Sequence, residues 1–142
     1  MSKETILSYI AGFVDGEGYI GIRIDKGTNH YGLRINITNT NLFILEWIQE
    51  QLNCGGCIYG NKRQSIKHKL SYKLEYGHKQ AGKVLLKLLP YLRLKQPQAK
   101  IGLQLRDTFK PIYDVKGITL ELLKQRKLLK DKIDLLNKRG PR

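Results

Sequence analysis

Apolar residues recur at helical spacing at the start of the chain and then alternate strictly with polar ones. The helical positions are Ile6, Leu7, Ile10, Phe13 and Val14. This spacing predicts a helix that Gly16 and Gly18 end. Alternation from Tyr19 to Ile24 predicts a strand directly after it. Glu17 is therefore expected at the corner between a helix and a strand.

A second alternating run, from Leu33 to Thr38, predicts a hairpin with the first around the turn Gly27–His30. One face of this hairpin is aliphatic. The other carries Gly21, Arg23, Asp25, Arg34, Asn36 and Thr38. Because a DNA major groove admits a two-stranded ribbon, such a mixture of donors and acceptors suits the reading of base edges. The alternative is an ordinary solvated sheet face.

The same order of elements is predicted again in the middle of the chain. Asn41 is a suitable N-cap for a helix that ends at Asn53. Ile58–Gly60 and Leu70–Tyr76 then alternate as a second hairpin, with a long basic loop between them. Its polar face is predicted to comprise Tyr59, Asn61, Lys69, Ser71, Lys73 and Glu75.

Helices are predicted for the remainder. Gln80–Leu89 reads as a helix ended by Pro90, and Pro97 as a first-turn residue of the next helix, which leaves Lys95 on the connection before it. A last helix has its apolar positions at Ile118, Leu122, Leu129, Ile133 and Leu136. Its basic residues, Lys124, Arg126, Lys127, Lys130 and Lys132, indicate either a solvated face or contacts to a nucleic-acid backbone.

Charge is the most informative feature of the composition. The 142 residues carry a formal charge of +14, and thirteen basic residues stand against two acidic ones between Lys62 and Lys110. Such an excess favours a nucleic acid as partner. The chain has no run of 18 apolar residues, and Met1–Thr5 is not a secretory signal. We expect no membrane partner, no small-molecule substrate and an intracellular location, in a bacterial or archaeal cytoplasm or an organelle.

Cys54 and Cys57 have the C-x-x-C spacing of zinc and redox sites. A tetrahedral zinc site needs two further ligands, and the three histidines offer no second close pair. Gly55 and Gly56 suit a turn from a helix to a strand, and we favour that interpretation.

Gly12 and Gly16 lie four residues apart on one face of the first predicted helix. Without side chains there, another helix can approach unusually closely. If that helix belongs to a second copy, two Glu17 carboxylates meet near a two-fold axis. Paired carboxylates supply the oxygen ligands that divalent cations prefer.

The segment Ile10–Gly18 resembles the nine-residue motif of the LAGLIDADG homing endonucleases. Ala11, Gly12, Asp15 and Gly18 match outright, and Glu17 stands where the family name has Asp. Leu94-Lys95-Gln96 is similar to a second stretch of the single-motif enzymes, in which the lysine reaches the active site. The resemblance therefore rests on two separated places.

This resemblance implies a single α+β domain of the αββαββα type, with its core at about residues 3–107 and a C-terminal helical extension at about 114–138. It implies a homodimeric, site-specific endonuclease for double-stranded DNA that uses Mg²⁺ or another divalent cation such as Mn²⁺. The implied site comprises Glu17 and the Gly16 carbonyl as metal ligands, Asn39 as a residue that positions water, and Lys95 beside the scissile phosphate. Gly12 and Gly16 would lie in the dimer interface.

Two alternatives remain open at this point. The same fold can serve as a binding module without catalysis, as an intron RNA maturase or a DNA-binding regulator. A basic ribosomal-type RNA-binding protein would share the charge but would need no close helix pair ending in a carboxylate.

Overall fold

The computed structural model describes residues 1–60, 70–109 and 118–138. In chain order the elements are α1 (Lys3–Glu17), β1 (Gly18–Ile24), β2 (Tyr31–Asn39), α2 (Leu42–Leu52), β3 (Cys57–Gly60), β4 (Tyr72–Gly77), α3 (His78–Leu88), a 3-10 turn (Leu89–Tyr91), α4 (Gln96–Asp107) and α5 (Leu120–Asn137). This confirms the predicted α+β fold with αββαββα order. The long basic loop, Asn61 and Lys69 lie outside the described residues.

The two predicted hairpins join into one antiparallel sheet with strand order β1-β2-β4-β3. The junction is the pairing of β2 with β4, which sets Asn36 opposite Glu75 and Thr38 opposite Lys73. The aliphatic face is buried beneath the helices and includes Ile20, Ile22, Leu33, Ile35, Ile37 and Leu74. Because side chains alternate along a strand, the polar residues between them share the opposite face.

The chain passes from α1 to β1 without a connecting residue, and Gly18 makes this possible. The Gly18 N–H donates to the Val14 carbonyl. A Cβ on Gly18 would lie 2.7 Å from that carbonyl oxygen and 2.9 Å from the Val14 Cα, so only glycine fits. The expectation that Gly16 also ends the helix is wrong, since α1 continues through Gly16 to Glu17.

The turn from α2 to β3 has the conformation that the two glycines predicted. Asn53 ends α2 in the left-handed region with φ 48°, and Gly55 and Gly56 follow with φ 82° and 85°. Glycine takes such angles without steric cost. Cys54 is buried behind this turn, whereas Cys57 is exposed at the start of β3.

The C-terminal helix α5 packs against β1 and α4 and adds Leu129 and Ile133 to the core. The predicted basic face of this helix does not include Arg126, because this residue is buried. Its guanidinium donates to the Thr108 hydroxyl and carbonyl, both at 2.9 Å, and lies 4.0 Å from the centre of the Phe109 ring. Arg126 thus ties α5 to the end of α4. Among the described residues, no helix is long and apolar enough to cross a membrane.

Candidate active site and polar sheet face

The Glu17 carboxylate lies at the exposed end of α1, beside the last residue of β2. That residue, Asn39, donates from Nδ2 to Glu17 Oε2 at 2.7 Å. The Asn39 Oδ1 accepts from the backbone N–H of Asn41 at 2.8 Å. The hydrogen bond from Asn41 fixes the orientation of the Asn39 amide. The Asn39 amide in turn fixes the position of one oxygen of the Glu17 carboxylate.

Lys95 reaches the same end of α1 through Asp15. Its Nζ donates to the Asp15 carbonyl at 2.6 Å, and partial negative charge on helix C-terminal carbonyls favours an ammonium there. The buried Asp15 carboxylate accepts from the backbone N–H groups of Arg93, at 2.7 Å, and Lys95, at 2.9 Å. The structure thus places Lys95 at the same end of α1 as Glu17, and Asp15, which was not predicted as a site residue, holds the Lys95 segment there.

The face of α1 that carries Gly12 and Gly16 is open. Both glycines are exposed, and a Cβ on either would meet nothing within 4 Å. Glycine within a helix costs roughly 0.5–1 kcal/mol relative to alanine. Packing within one copy gives no reason for that cost, whereas close approach of a second helix does.

The sheet face that is turned away from the helices carries the polar side chains, and the strand register arranges them in rows across the strands. Nearest Asn39 is the row Thr38, Lys73 and Tyr59. The next is Tyr19, Asn36, Glu75 and Cys57, followed by Gly21, Arg34 and Gly77, and then by Arg23 opposite Gly32. The predicted residues of β1, β2, β3 and β4 therefore share one surface. Asp25 lies just after β1, and Ser71 just before β4.

Gly21 differs from its predicted place on this surface. It is buried, because the Tyr19 ring lies directly over it. Tyr19 and Cys57 are exposed members of the polar face that sequence reasoning missed. Alternation by two, counted back from Gly21 and from Tyr59, could have found both.

Two titratable groups on or beside this surface have shifted pKa values. Burial lowers the pKa of His78, the neighbouring Arg34 lowers it further, and Asp25 opposes the shift. A hydrogen bond with Cys57 raises the pKa of the exposed Tyr59. Near neutral pH the surface therefore presents a neutral imidazole and a protonated phenol.

The end of α1 carries oxygen atoms of the kind that could contribute ligands to a metal ion. Within the three described stretches, no group of three or more His, Cys, Asp or Glu side chains could hold a metal ion. The suitable donors are the Glu17 carboxylate and carbonyls in the last turn of the helix, including that of Gly16, which lack intrahelical partners. These are hard oxygen ligands of the kind that Mg²⁺ and Ca²⁺ prefer. Further ligands must come from a second copy or from a bound phosphate.

Residues 10–99 match the sequence profile described as LAGLIDADG endonuclease. The matched range includes the motif at the end of α1 and extends past Lys95. The chain belongs to the LAGLIDADG endonuclease family. Within its LAGLIDADG motif, Ile10, Ala11, Val14 and Asp15 are buried against the fold, while Gly12, Gly16 and Glu17 point outward. One side of the motif therefore builds the fold, and the other side is left for partners.

Individual relatives cover nearly the whole chain. The DNA endonuclease I-CvuI of Chlorella vulgaris is 35% identical over an alignment of 136 residues, and the match covers 91% of this chain and 78% of the relative. A crystal structure of I-CvuI with its target and calcium superposes with a TM-score of 0.76 and 28% identity, covering 99% of this chain and 87% of that one. An archaeal intron-encoded homing endonuclease, I-Vdi141I with DNA, has a TM-score of 0.73 at 18% identity, covering 99% and 89%, and shows the shared fold.

Proposed function

We propose that two copies of this chain form a site-specific endonuclease that cuts both strands of DNA at a long pseudo-palindromic sequence with Mg²⁺ or a similar divalent cation. The observation that carries this proposal is the Glu17 carboxylate, held by Asn39 beside the open strip of Gly12 and Gly16. Pairing of α1 with its copy across a two-fold axis supplies the second carboxylate. The relative I-CvuI, a DNA endonuclease, has been solved with DNA in the presence of calcium and, with the DNA not cleaved, in the presence of magnesium, which supports DNA binding together with a divalent cation.

Each residue at the end of α1 has a distinct task in this proposal. Glu17 from both copies, with the Gly16 carbonyl, would hold divalent cations, and a cation bound there would supply Lewis-acid activation of a water molecule and charge neutralisation at the phosphate. Asn39 uses both ends of its amide within the chain, so we assign it to orient Glu17 instead of a water molecule. Lys95 places positive charge beside the scissile phosphate, where charge develops during the displacement.

The polar sheet face supplies DNA recognition in the same proposal. The described residues assigned to it are Tyr19, Arg23, Asp25, Arg34, Asn36, Thr38, Tyr59, Ser71, Lys73 and Glu75, and the predictions for Asn61 and Lys69 fall outside the described residues. In a symmetric dimer this face occurs twice, so the recognised sequence is expected to repeat in inverted orientation. The net charge of +14 on each copy favours contacts to DNA phosphates on both halves of the dimer.

A randomised duplex library tests this function directly. Incubation with Mg²⁺ is expected to yield molecules cut on both strands at an enriched pseudo-palindrome, and EDTA is expected to stop the cutting because the carboxylates then hold no cation. Sequencing of the cut ends and of the uncut pool identifies the site. If duplexes are bound and enriched but are not cut with any divalent cation, the protein is a binding module. If RNA offered in competition is retained in preference to DNA, the maturase alternative is favoured.

Asp15→Asn is expected to slow cutting about tenfold and Lys95→Ala about a hundredfold, on the scale of one lost charge-stabilising donor. An asparagine presents an amide N–H₂ toward one of the two backbone N–H groups, so the segment that carries Lys95 shifts. The measurement is single-turnover cutting together with the dissociation constant for uncut DNA, which should change little.

If Asp15 acts through Lys95, the double variant should cut no more slowly than Lys95→Ala alone. Additive losses in the double variant would show that Asp15 has only a general structural role. Circular dichroism spectra and melting temperatures provide the folding control.

A further inference from the structure

A concavity of about 350 Å³ lies on the polar sheet face. Tyr19, Arg23, Arg34, Asn36, Lys73 and Glu75 contribute to its lining. Its centre joins two adjacent rows of the sheet, since Asn36 lies opposite Glu75 and Arg34 opposite Gly77. The concavity is therefore built from side chains that the strand register holds together.

Two buried polar atoms in this concavity have no hydrogen-bond partner among the described residues. One is a donor, Arg34 Nε, and the other is an acceptor, Asn36 Oδ1. Arg34 Nε lies 3.5 Å from a Glu75 oxygen, an ion pair at the limit of hydrogen-bonding distance. A buried polar group left unpaired is unfavourable. Both atoms are closed off from solvent, and Arg34 Nη1 donates to the Leu33 carbonyl at 3.2 Å, so a ligand that accepts from Arg34 and donates to Asn36 would satisfy them after a small rearrangement of these side chains.

Glycines on either side of Arg34 allow its guanidinium to lie flat across the sheet. A Cβ on Gly77 would collide with the Arg34 guanidinium, and one on Gly32 would lie 3.4 Å from the same guanidinium. The Arg34 side chain is only 19% exposed as a result. An arginine whose position is already restricted loses less conformational freedom when a ligand binds.

The groups in the concavity match the major-groove edge of one base pair. Guanine presents two acceptors, O6 and N7, which a guanidinium can contact together, and cytosine presents an amino donor, which a carboxylate or an amide oxygen can accept. Arg23, Lys73 and Lys130 also line the concavity and attract anions, but the Glu75 carboxylate lies directly beside Arg34 and makes a phosphate contact to this guanidinium less favourable. Thymine offers an acceptor where cytosine offers its amino donor, so Glu75 and Asn36 disfavour an A·T pair.

We propose that Arg34, Glu75 and Asn36 form one recognition unit for a single G·C pair in each half-site, with Arg34 on the guanine and with the oxygens of Glu75 and Asn36 sharing the one amino N–H that the paired cytosine leaves free. This inference rests on the proposed DNA-cutting function. It assigns the three residues to one base pair and one orientation, and it gives Gly77 the task of keeping the guanidinium in place.

The test is a binding selection from a library randomised in both half-sites, performed in Ca²⁺ with the full-length chain. The wild type is expected to prefer G·C in one orientation at one half-site position by roughly 5- to 150-fold. Arg34→Lys, Glu75→Gln and Gly77→Ala are each expected to lose that preference at the same position. Arg34→Lys keeps the charge but loses the guanidinium fork, and Gly77→Ala keeps both charges and displaces only the guanidinium.

Arg23→Lys is the matched control, because Arg23 lines the same concavity in the neighbouring row. It is expected to leave the preference at that position unchanged. Gly77 has φ −133° and ψ 156°, an extended conformation that alanine also adopts, and melting curves verify that each variant is folded.

The recognition unit would be overturned if Arg34→Lys and Glu75→Gln lost their base preference at different half-site positions. It would also be overturned if folded Gly77→Ala kept the wild-type preference. Neither result would affect the endonuclease proposal. A uniform loss of affinity for all sequences would identify Arg34 as a phosphate contact and overturn the recognition unit as well. A wild-type selection that enriches no sequence would overturn both proposals.

Discussion

Glu17→Gln is expected to abolish DNA cutting and to leave DNA binding intact. The amide keeps the size of the side chain but removes the negative charge that holds a hard divalent cation, so the water is no longer activated. The sheet face that is proposed to contact the bases is unchanged. In the absence of metal, binding is expected to tighten slightly, because two carboxylates facing the phosphates repel them in the wild type.

The measurement pairs a gel-shift assay with a nicking assay on the same duplex, in Mg²⁺ and in Ca²⁺. Glu4→Gln is the matched control, since it removes the same charge from an exposed residue at the other end of α1. This control is expected to cut at the wild-type rate. Cutting by Glu17→Gln at that rate would remove Glu17 from the site, and with it the proposed metal arrangement.

Gly12→Leu and Gly16→Leu are expected to separate the dimer while preserving or raising the stability of each copy. A Cβ at either position would meet no atom of the described residues of the same copy within 4 Å, and replacing glycine in a helix removes a cost of about 0.5–1 kcal/mol. In the proposed dimer the same side chain separates two closely packed helices. Overpacking costs about 1–3 kcal/mol per site, and two-fold symmetry makes each substitution act twice, for a total of about 2–6 kcal/mol.

Sedimentation equilibrium measures the association, and thermal unfolding at concentrations where the chain is monomeric measures the stability of one copy. The dissociation constant is expected to rise roughly 30-fold or more, since each 1.4 kcal/mol is tenfold. Lys132→Leu, which adds the same side chain to the exposed face of α5, serves as control and should leave association unchanged. A wild type that is monomeric at micromolar concentration, both free and on DNA, would contradict the dimer.

Interactions between residues close in sequence explain why much of the fold was predictable. Alternation along β1 and β2 identified the buried face, and the Asn41 cap and the left-handed Asn53 bounded α2 as expected. The motif residues Glu17 and Lys95 were identified by resemblance, and the profile match confirms the family. Each of these signals depends on residues within about one element of one another, where backbone geometry sets which side chains share a face.

The tertiary structure alone decided how these parts meet. Asp15 binds a segment 78 to 80 residues away, and Asn39 reaches Glu17 across 22 residues, so neither contact has a local signature. The charge of Arg126 places it on the predicted basic face, but it is buried because its guanidinium binds Thr108 and lies against the Phe109 ring. Arg34 faces Glu75 because β2 pairs with β4, a pairing between hairpins that alternation does not specify. The sequence by itself determined the elements and their buried faces, while the packing of distant elements decided which polar groups meet and which stay unpaired.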